Sequence, residues 1–320
     1  MATTSRTVKV AAVQAACVAF DLAASLRKLA QLTRQAKDAG AKLVVFPEAF
    51  LSAYPWDYNF GASIGSRTPE GRKWYARYYD NAVAVPSAEY HKLSLVAKEN
   101  AVFLQVGIVE KAGATLYCTT LLFARDGSLL SSHRKLIPTA AERIVWGRGA
   151  GDGLNVVETE IGKIGGLICW ENYMPAARLA LYQQGVEIYT APNADDLPAW
   201  IASMQHIAKE GRCFVISSNQ FLRISDFPAD YPPYSEKRQA GQTDHIVSHG
   251  GSCICGPLGN IIAGPVWDKE EIVYATLDMA ELTEARMDFD AVGSYARPDI
   301  FELKVNTKPA SSVTFVESED

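Results

Sequence analysis

The sequence predicts an α/β sandwich with mixed sheets, and three features of its patterning lead there. Short β-rich apolar runs alternate with segments of helical periodicity, as β-α-β units require. Other strand-like runs follow one another across tight turns, so parallel and antiparallel neighbours are expected in the same sheets. No repeat and no low-complexity linker interrupts the 320 residues, which favours a single domain over residues 1–305 followed by a tail over 306–320.

Val8 to Gln14 is a β-rich first core strand. Asp21 is placed to N-cap a helix in which Leu22, Leu26, Leu29, Ala30, Thr33 and Ala36 recur at helical spacing, and Gly40 stands at its C′ position. Lys42 to Phe46 then forms a buried strand running into Pro47 and Glu48, completing a β-α-β passage. From Ser52 to about Pro86 the periodicity fails. Tyr54–Phe60 and Trp74–Tyr79 are aromatic and polar in a stretch punctuated by Gly and Pro, which predicts an irregular functional loop or contact surface. Ala88–Asn100 reads as a helix, and Val102–Val109 and Leu116–Phe123 read as strands. Asp126-Gly127 turns the chain into Leu129 and Leu130. Gly162–Ile168 is a short strand that stops at Cys169, followed by a helix from Pro175 to Gln184 that Gly185 closes. A strand over 186–191 then completes a second β-α-β passage. Trp200–Gly211 is helical, Phe214–Ser218 is a strand, Pro257–Asn260 turns between two short strands, and Ile272–Leu277 is the last clear strand. The tail from Asn306 is expected to be loosely ordered or an interface arm.

Composition narrows the function classes. The chain is 48% hydrophobic and 21% charged, with a net charge of -5, and carries no basic stripe interleaved with aromatics, so nucleic acid is excluded as a partner. No apolar run reaches the roughly 20 residues that span a bilayer, and the first ten residues lack the apolar core of a secretory signal. Six cysteines, most of them in apolar strand-like runs, suit reduced thiols in the cytoplasm.

Three strand ends carry a reactive polar group where an apolar run stops: Glu48, Lys135 and Cys169. Ligand sites of α/β sheets gather at such ends. A carboxylate can take a thiol proton, and an ammonium can stabilise negative charge developing on the attacked group. Cys169, at a strand-to-helix turn, lies near unpaired N–H groups and the positive end of a helix dipole, both of which favour thiolate.

The blocks around these residues, Phe46-Pro-Glu48-Ala-Phe50, Arg134-Lys135-Leu-Ile-Pro-Thr139 and Ile168-Cys169-Trp-Glu-Asn-Tyr-Met-Pro175, resemble the three signature blocks of the carbon–nitrogen hydrolase (nitrilase) superfamily. The similarity runs from about Val8 to Asn306, and Glu142-Arg-Ile-Val-Trp-Gly147 and Ser294-Tyr-Ala-Arg-Pro298 resemble the plant and related microbial nitrilase branch. The resemblance implies a four-layer α-β-β-α sandwich. It implies that Cys169 is the nucleophile, Glu48 its general base and Lys135 the stabilising cation, with Glu142 and the Trp170 backbone N–H in support. It also implies a small organic nitrile as substrate, no cofactor, and a homo-oligomer in which dimers build larger spirals. An amidase, an amide-forming nitrile or cyanide hydratase, and a non-enzymatic scaffold are the alternatives.

Tyr54 and Trp146 are candidates for the pocket wall, and Asn193, which ends its strand as Cys169 does, is a further binding candidate. Trp200 is read as core, and so are Cys17, Cys118 and Cys213. The spacing His245-x3-His249-x3-Cys253-x-Cys255 is metal-like, but Gly250-Gly251 interrupts it and no metal is expected. His133 and His206 are formally possible bases for Cys169; the first reads better as a neighbour shaping the lysine strand and the second as a packed or capping side chain. The Gly-rich run 147–153 is longer than is usual in nitrilases and bears on pocket shape.

Overall fold

A computed structural model of the chain describes residues 6–309 and Val313. Its first half contains β1 (Thr7–Gln14), α1 (Leu22–Asp38), β2 (Leu43–Val45), the small hairpin β3 (Ala62–Ser63) and β4 (Ser66–Arg67), α2 (Pro69–Asp80), β5 (Val83–Ala84), α3 (Ala88–Asn100), β6 (Phe103–Ala112), β7 (Thr115–Phe123) and β8 (Leu129–Arg134). The second half contains β9 (Val157–Thr159), β10 (Gly162–Gly166), α4 (Pro175–Gln183), β11 (Ile188–Pro192), α5 (Pro198–Gly211), β12 (Phe214–Ser218), β13 (Phe221–Arg223), α6 (Ser235–Gln239), β14 (Ile246–Cys255), β15 (Ile261–Trp267), β16 (Glu271–Asp278) and α7 (Glu281–Ala285). As the capping pattern predicts, Asp21 Oδ1 accepts from the Ala24 N–H at 2.8 Å and α1 stops just before Gly40.

One sheet runs in the order β16-β1-β2-β6-β7-β8, with β5 beside β6; the other runs β13-β14-β12-β11-β10-β9, with β15 beside β14. Each has a parallel centre, β1-β2-β6 in one and β10-β11-β12 in the other. Each is extended by antiparallel strands. The mixture follows from the connections, helices joining parallel neighbours and short turns joining antiparallel ones.

Alternation along the strands builds three apolar layers. Val10, Val45, Ile164, Ile188, Ile216 and Ile254 meet between the two sheets. On the far face of the first sheet, Ala11, Val44 and Leu104 lie under Leu29, Leu93 and Val96 of α1 and α3. On the far face of the second, Tyr189, Val215 and Cys253 lie under Leu181, Met204 and Ile207 of α4 and α5. Three apolar layers separate four layers of structure, and the architecture is the α-β-β-α sandwich.

The stretch after Ser52 departs from the expectation of an irregular loop. Thr68 caps α2 by accepting from the Gly71 N–H at 3.0 Å, and Pro69 opens its first turn. Trp74 and Tyr78, four residues apart, turn inward on a cluster with Phe20, Tyr58 and Tyr231. The helical period is carried by large aromatics that also suit a binding surface, which is why it reads as irregular. Of the tail, residues 310–312 and 314–320 lie outside the described residues. Among the described residues no helix is long and apolar enough to cross a membrane.

Candidate active site

Glu48 sits in the turn that follows β2. The turn presses against β6 so closely that a Cβ on Gly107 would fall 2.1 Å from the Pro47 carbonyl oxygen. The Glu48 carboxylate is fully buried, and its Oε1 accepts from Lys135 Nζ at 2.7 Å. Lys135, also fully buried, stands one residue beyond β8 and gives a second hydrogen bond to Glu142 Oε2 at 2.8 Å. Glu142 lies in a short 3-10 turn, Ala140–Ile144. Its Oε1 accepts from the Tyr54 hydroxyl at 2.7 Å and its Oε2 from the Thr139 N–H at 2.6 Å. The Trp146 ring flanks Lys135 Nζ at 5.8 Å and meets the Tyr54 ring edge-on at 5.6 Å. Tyr54 and Trp146, expected in the pocket wall, thus stand beside the charged cluster.

Cys169 opens a second 3-10 turn, Cys169–Tyr173, in the left-handed conformation with φ 49°, an uncommon setting for a residue with a side chain. Burial, and then the Glu48 charge, push its thiol well above the ordinary range; Lys135 and a hydrogen bond from the Ala194 N–H pull the other way without prevailing. This corrects the expectation of a thiolate favoured by a helix terminus. The helix α4 begins only at Pro175, and the desolvated sulfur is held as a thiol. A thiol needs a base at the moment of attack. Burial raises Glu48 above the usual carboxylate range against the opposing Lys135 charge, which makes it the stronger base. Lys135 loses basicity to burial but gains more from Glu48 and the other acidic groups around it, so its pKa stands well above the ordinary lysine range and it remains a cation.

Two further candidates have side chains that bond outside the charged cluster. The Trp170 ring is half exposed and its Nε1–H donates to Asp195 Oδ2 at 2.8 Å, so the side chain serves the rim. Asn193 is buried and tied to β12, its Nδ2 donating to Ser217 Oγ at 2.9 Å and its backbone N–H to the Ser218 carbonyl. The residue after it, Ala194, is the one whose N–H reaches the Cys169 sulfur.

His133 is buried against Glu171, its Nε2 lying 3.1 and 3.0 Å from the two carboxylate oxygens, and is committed to that carboxylate. His206 is exposed on α5, 3.6 Å from Glu210. His249 is exposed and paired with Asp268 at 2.5 Å, while Cys253 and Cys255 are buried in β14. Among the described residues no three metal-type side chains converge. Trp200 is core, its Nε1–H satisfied by Ser217 Oγ at 2.8 Å. The Gly-rich run packs along the lysine strand: the Gly149 N–H donates to the Lys135 carbonyl at 2.8 Å, and a Cβ on Gly149 would meet the Arg134 carbonyl at 2.1 Å. Cys118 is core, as expected, and its Sγ also lies 3.3 Å from Glu48 Oε1.

Comparison with known proteins identifies the family. The chain is 47% identical over 310 residues to a bifunctional nitrilase/nitrile hydratase of Lupinus angustifolius, covering 97% of this chain and 89% of the relative. It is 47% identical over 305 residues to an aliphatic nitrilase of Sinorhizobium fredii (strain HH103), covering 95% and 97%. It is 45% identical over 314 residues to Nitrilase 1 of Arabidopsis thaliana, covering 98% and 90%. In fold it is similar to Saccharomyces cerevisiae Nit3, a member of branch 10 of the nitrilase superfamily, with TM-score 0.68 at 23% identity over 91% of this chain and 96% of that one. Residues 9–287 match the model of the carbon-nitrogen hydrolase family, and with strand-end Glu48, Lys135 and Cys169 inside that span the chain belongs to the carbon–nitrogen hydrolases.

Proposed function

We propose that the chain is a nitrilase that converts an organic nitrile to its carboxylic acid and ammonia, with Cys169, Glu48 and Lys135 as the catalytic groups. The observation that carries this reading is a buried ammonium held between two carboxylates, Glu48 and Glu142, whose charges act together on the Cys169 thiol.

The chemistry follows from that arrangement. Glu48 takes the thiol proton as Cys169 Sγ bonds to the nitrile carbon, and the proton is delivered to nitrogen, giving a thioimidate. A water adds to the same carbon, Glu48 relaying one of its protons to nitrogen; as the C–N bond breaks the nitrogen takes the remaining hydroxyl proton and leaves as ammonia, giving a thioester. A second water breaks the C–S bond, releasing acid and restoring the thiol. Lys135 stabilises charge on the tetrahedral intermediates, and Glu142 with Tyr54 holds Lys135 in place. The Ala194 N–H adds a donor at the sulfur. The steps require proton transfer and charge stabilisation, both of which these side chains supply.

A second outcome has a specific basis. Relatives from Lupinus angustifolius and Nicotiana tabacum carry the description bifunctional nitrilase/nitrile hydratase. Amide is released when the first tetrahedral intermediate expels the thiol instead of ammonia. A panel of about twenty arylacetonitriles, aliphatic nitriles, β-cyanoalanine and cyanide, scored for acid and amide by chromatography, separates the two products and identifies the substrate. C169A is expected to abolish both products, and intact mass after acid quenching should show an acyl adduct on the native chain alone. Ammonia release by C169A at the native rate would sink the reading.

The same reading takes residues 1–305 as the catalytic domain and places the chain in the cytoplasm, supported by six free thiols. It also takes the chain as a homo-oligomer, supported by exposed apolar side chains such as Ile64 and Phe301. A monomeric mass in light scattering would refute the oligomer.

A further inference from the structure

Glu48 is held asymmetrically. Its Oε1 accepts two donors, the Lys135 ammonium at 2.7 Å and the Cys118 thiol at 3.3 Å. Its Oε2 is buried and has no hydrogen-bond partner among the described residues. A carboxylate oxygen with two donors loses basicity, so the proton traffic of the reaction must pass through Oε2. Cys118 reaches both halves of the cluster. Its thiol meets the base, and its backbone carbonyl accepts from the Lys135 N–H at 2.7 Å, fixing where the cation leaves the strand.

We propose that Cys118 is a positioning residue for the reaction, its S–H pinning Glu48 Oε1 so that Oε2 faces Cys169 and the hydrolytic water as the working base. Sulfur suits the task. A thiol is a weak donor, so it orients the carboxylate without suppressing its basicity as a second ammonium would. Burial, followed by the Glu48 charge, holds the Cys118 thiol well above its ordinary range, so the donor proton stays in place across the working pH. The alternative is that Cys118 only fills space in β7.

The proposal rests on Glu48 being the base, so E48Q accompanies the test. kcat, KM and the pH profile of kcat/KM are measured on one hydrolysed nitrile for C118S, C118A and C118V, with thermal melting to establish folding. C118S keeps a donor, C118A removes it, and C118V removes it while filling most of the space. Loss of the donor is expected to lower kcat about three- to tenfold while KM stays within about twofold. The sign of the pH effect is fixed: a donor favours ionised Glu48. Without it Glu48 picks up its proton at higher pH, and the acid limb moves up by about half a pH unit. C118S should run close to the native enzyme. Folded C118V with native kcat and an unmoved limb overturns the proposal, as does C118S behaving like C118A. If C118A does not fold, C118V and C118S carry the comparison. E48Q with native activity overturns the base assignment itself, whereas an inactive E48Q with an unaffected C118V overturns only the role of Cys118.

Discussion

Two buried glutamate clusters sit two residues apart on the end of one strand. Alternation puts His133 and Lys135 on the same side of β8 and its extension, and each meets carboxylates delivered from elsewhere in the chain. Around Lys135 the polar groups are incompletely satisfied, because Glu48 Oε2 is left open. Around His133 the carboxylate is saturated. Glu171 Oε1 accepts from the Leu136 N–H at 2.5 Å and Oε2 from the Ile168 N–H at 2.7 Å, while His133 approaches both. Leu136 follows Lys135 and Ile168 precedes Cys169. One cluster leaves a Glu48 oxygen open, as the proposed base requires; the other spends both carboxylate oxygens on clamping the lysine strand of one sheet to the Cys169 turn of the other. The difference separates a carboxylate with an open oxygen from one whose bonds all hold structure.

Removing the cation breaks the first cluster with the largest effect. Lys135→Met leaves Glu48 and Glu142 buried without their shared partner, a loss worth about 3–5 kcal/mol unless one carboxylate takes up a proton. Ammonia release should fall at least about a thousandfold, and the melting temperature should drop. Because protonation of one carboxylate relieves the repulsion, the variant should regain stability relative to the native chain as pH falls. More than about a tenth of native activity in this variant would remove Lys135 from the mechanism.

Glu171→Gln tests the second cluster. An amide nitrogen would face a backbone N–H donor and one of the two clamps would open, costing about 1.5–3 kcal/mol. kcat should fall about tenfold through misplacement of Cys169 and Lys135, with the acid limb of the pH profile unmoved because Glu48 keeps its own partners. Burial works against a charged His133, but Glu171 outweighs it and the pKa is raised. The native chain therefore holds a stabilisation that is full below the unfolded His value of about 6.5 and is lost as pH rises through the raised one. The stability gap between native and variant should accordingly be wider near pH 6 than near pH 8. A shifted acid limb would instead place Glu171 among the proton-transfer groups.

The reach of the sequence follows the same division. Glu48, Lys135 and Cys169 are legible because each is a lone reactive group ending an apolar run, and their blocks resemble those of one family. The sandwich is legible because both parallel centres are built from β-α-β passages with well-marked helix ends. Cys118 is hidden by a register shift. Counting back from the Asp126-Gly127 turn with the Phe123↔Leu129 pairing sets Cys118 across from Arg134, on the wrong side. An irregularity between Leu122 and Phe123 moves the register by one, so that Thr119 meets Arg134 and Cys118 falls beside Lys135. The His133–Glu171 clamp is hidden because it joins two sheets, and no local pattern records which strand ends face each other. The thiolate expectation failed for a related reason. Helix ends are visible in sequence, whereas the desolvation of a side chain at the junction of two sheets is a tertiary property.

The smallest effect is expected from Tyr54→Phe, and it separates two roles that the position of this ring leaves side by side. The Tyr54 hydroxyl donates to Glu142 Oε1, and burial with the Glu142 charge pushes its own ionisation far out of range, so it is a donor at every working pH. Its ring lies edge-on against Trp146. Phenylalanine keeps the ring and removes the donor. Glu142 still accepts from Lys135 and the Thr139 N–H, so the loss should be about 1 kcal/mol and kcat should fall two- to fivefold, with KM held by the unchanged ring. A rise in KM across a nitrile series at constant kcat would make the hydroxyl a substrate contact and leave Glu142 held by Lys135 and the turn alone. A fall in kcat alone would place Tyr54 with Cys118, a neutral donor that sets the geometry of a carboxylate beside the same cation.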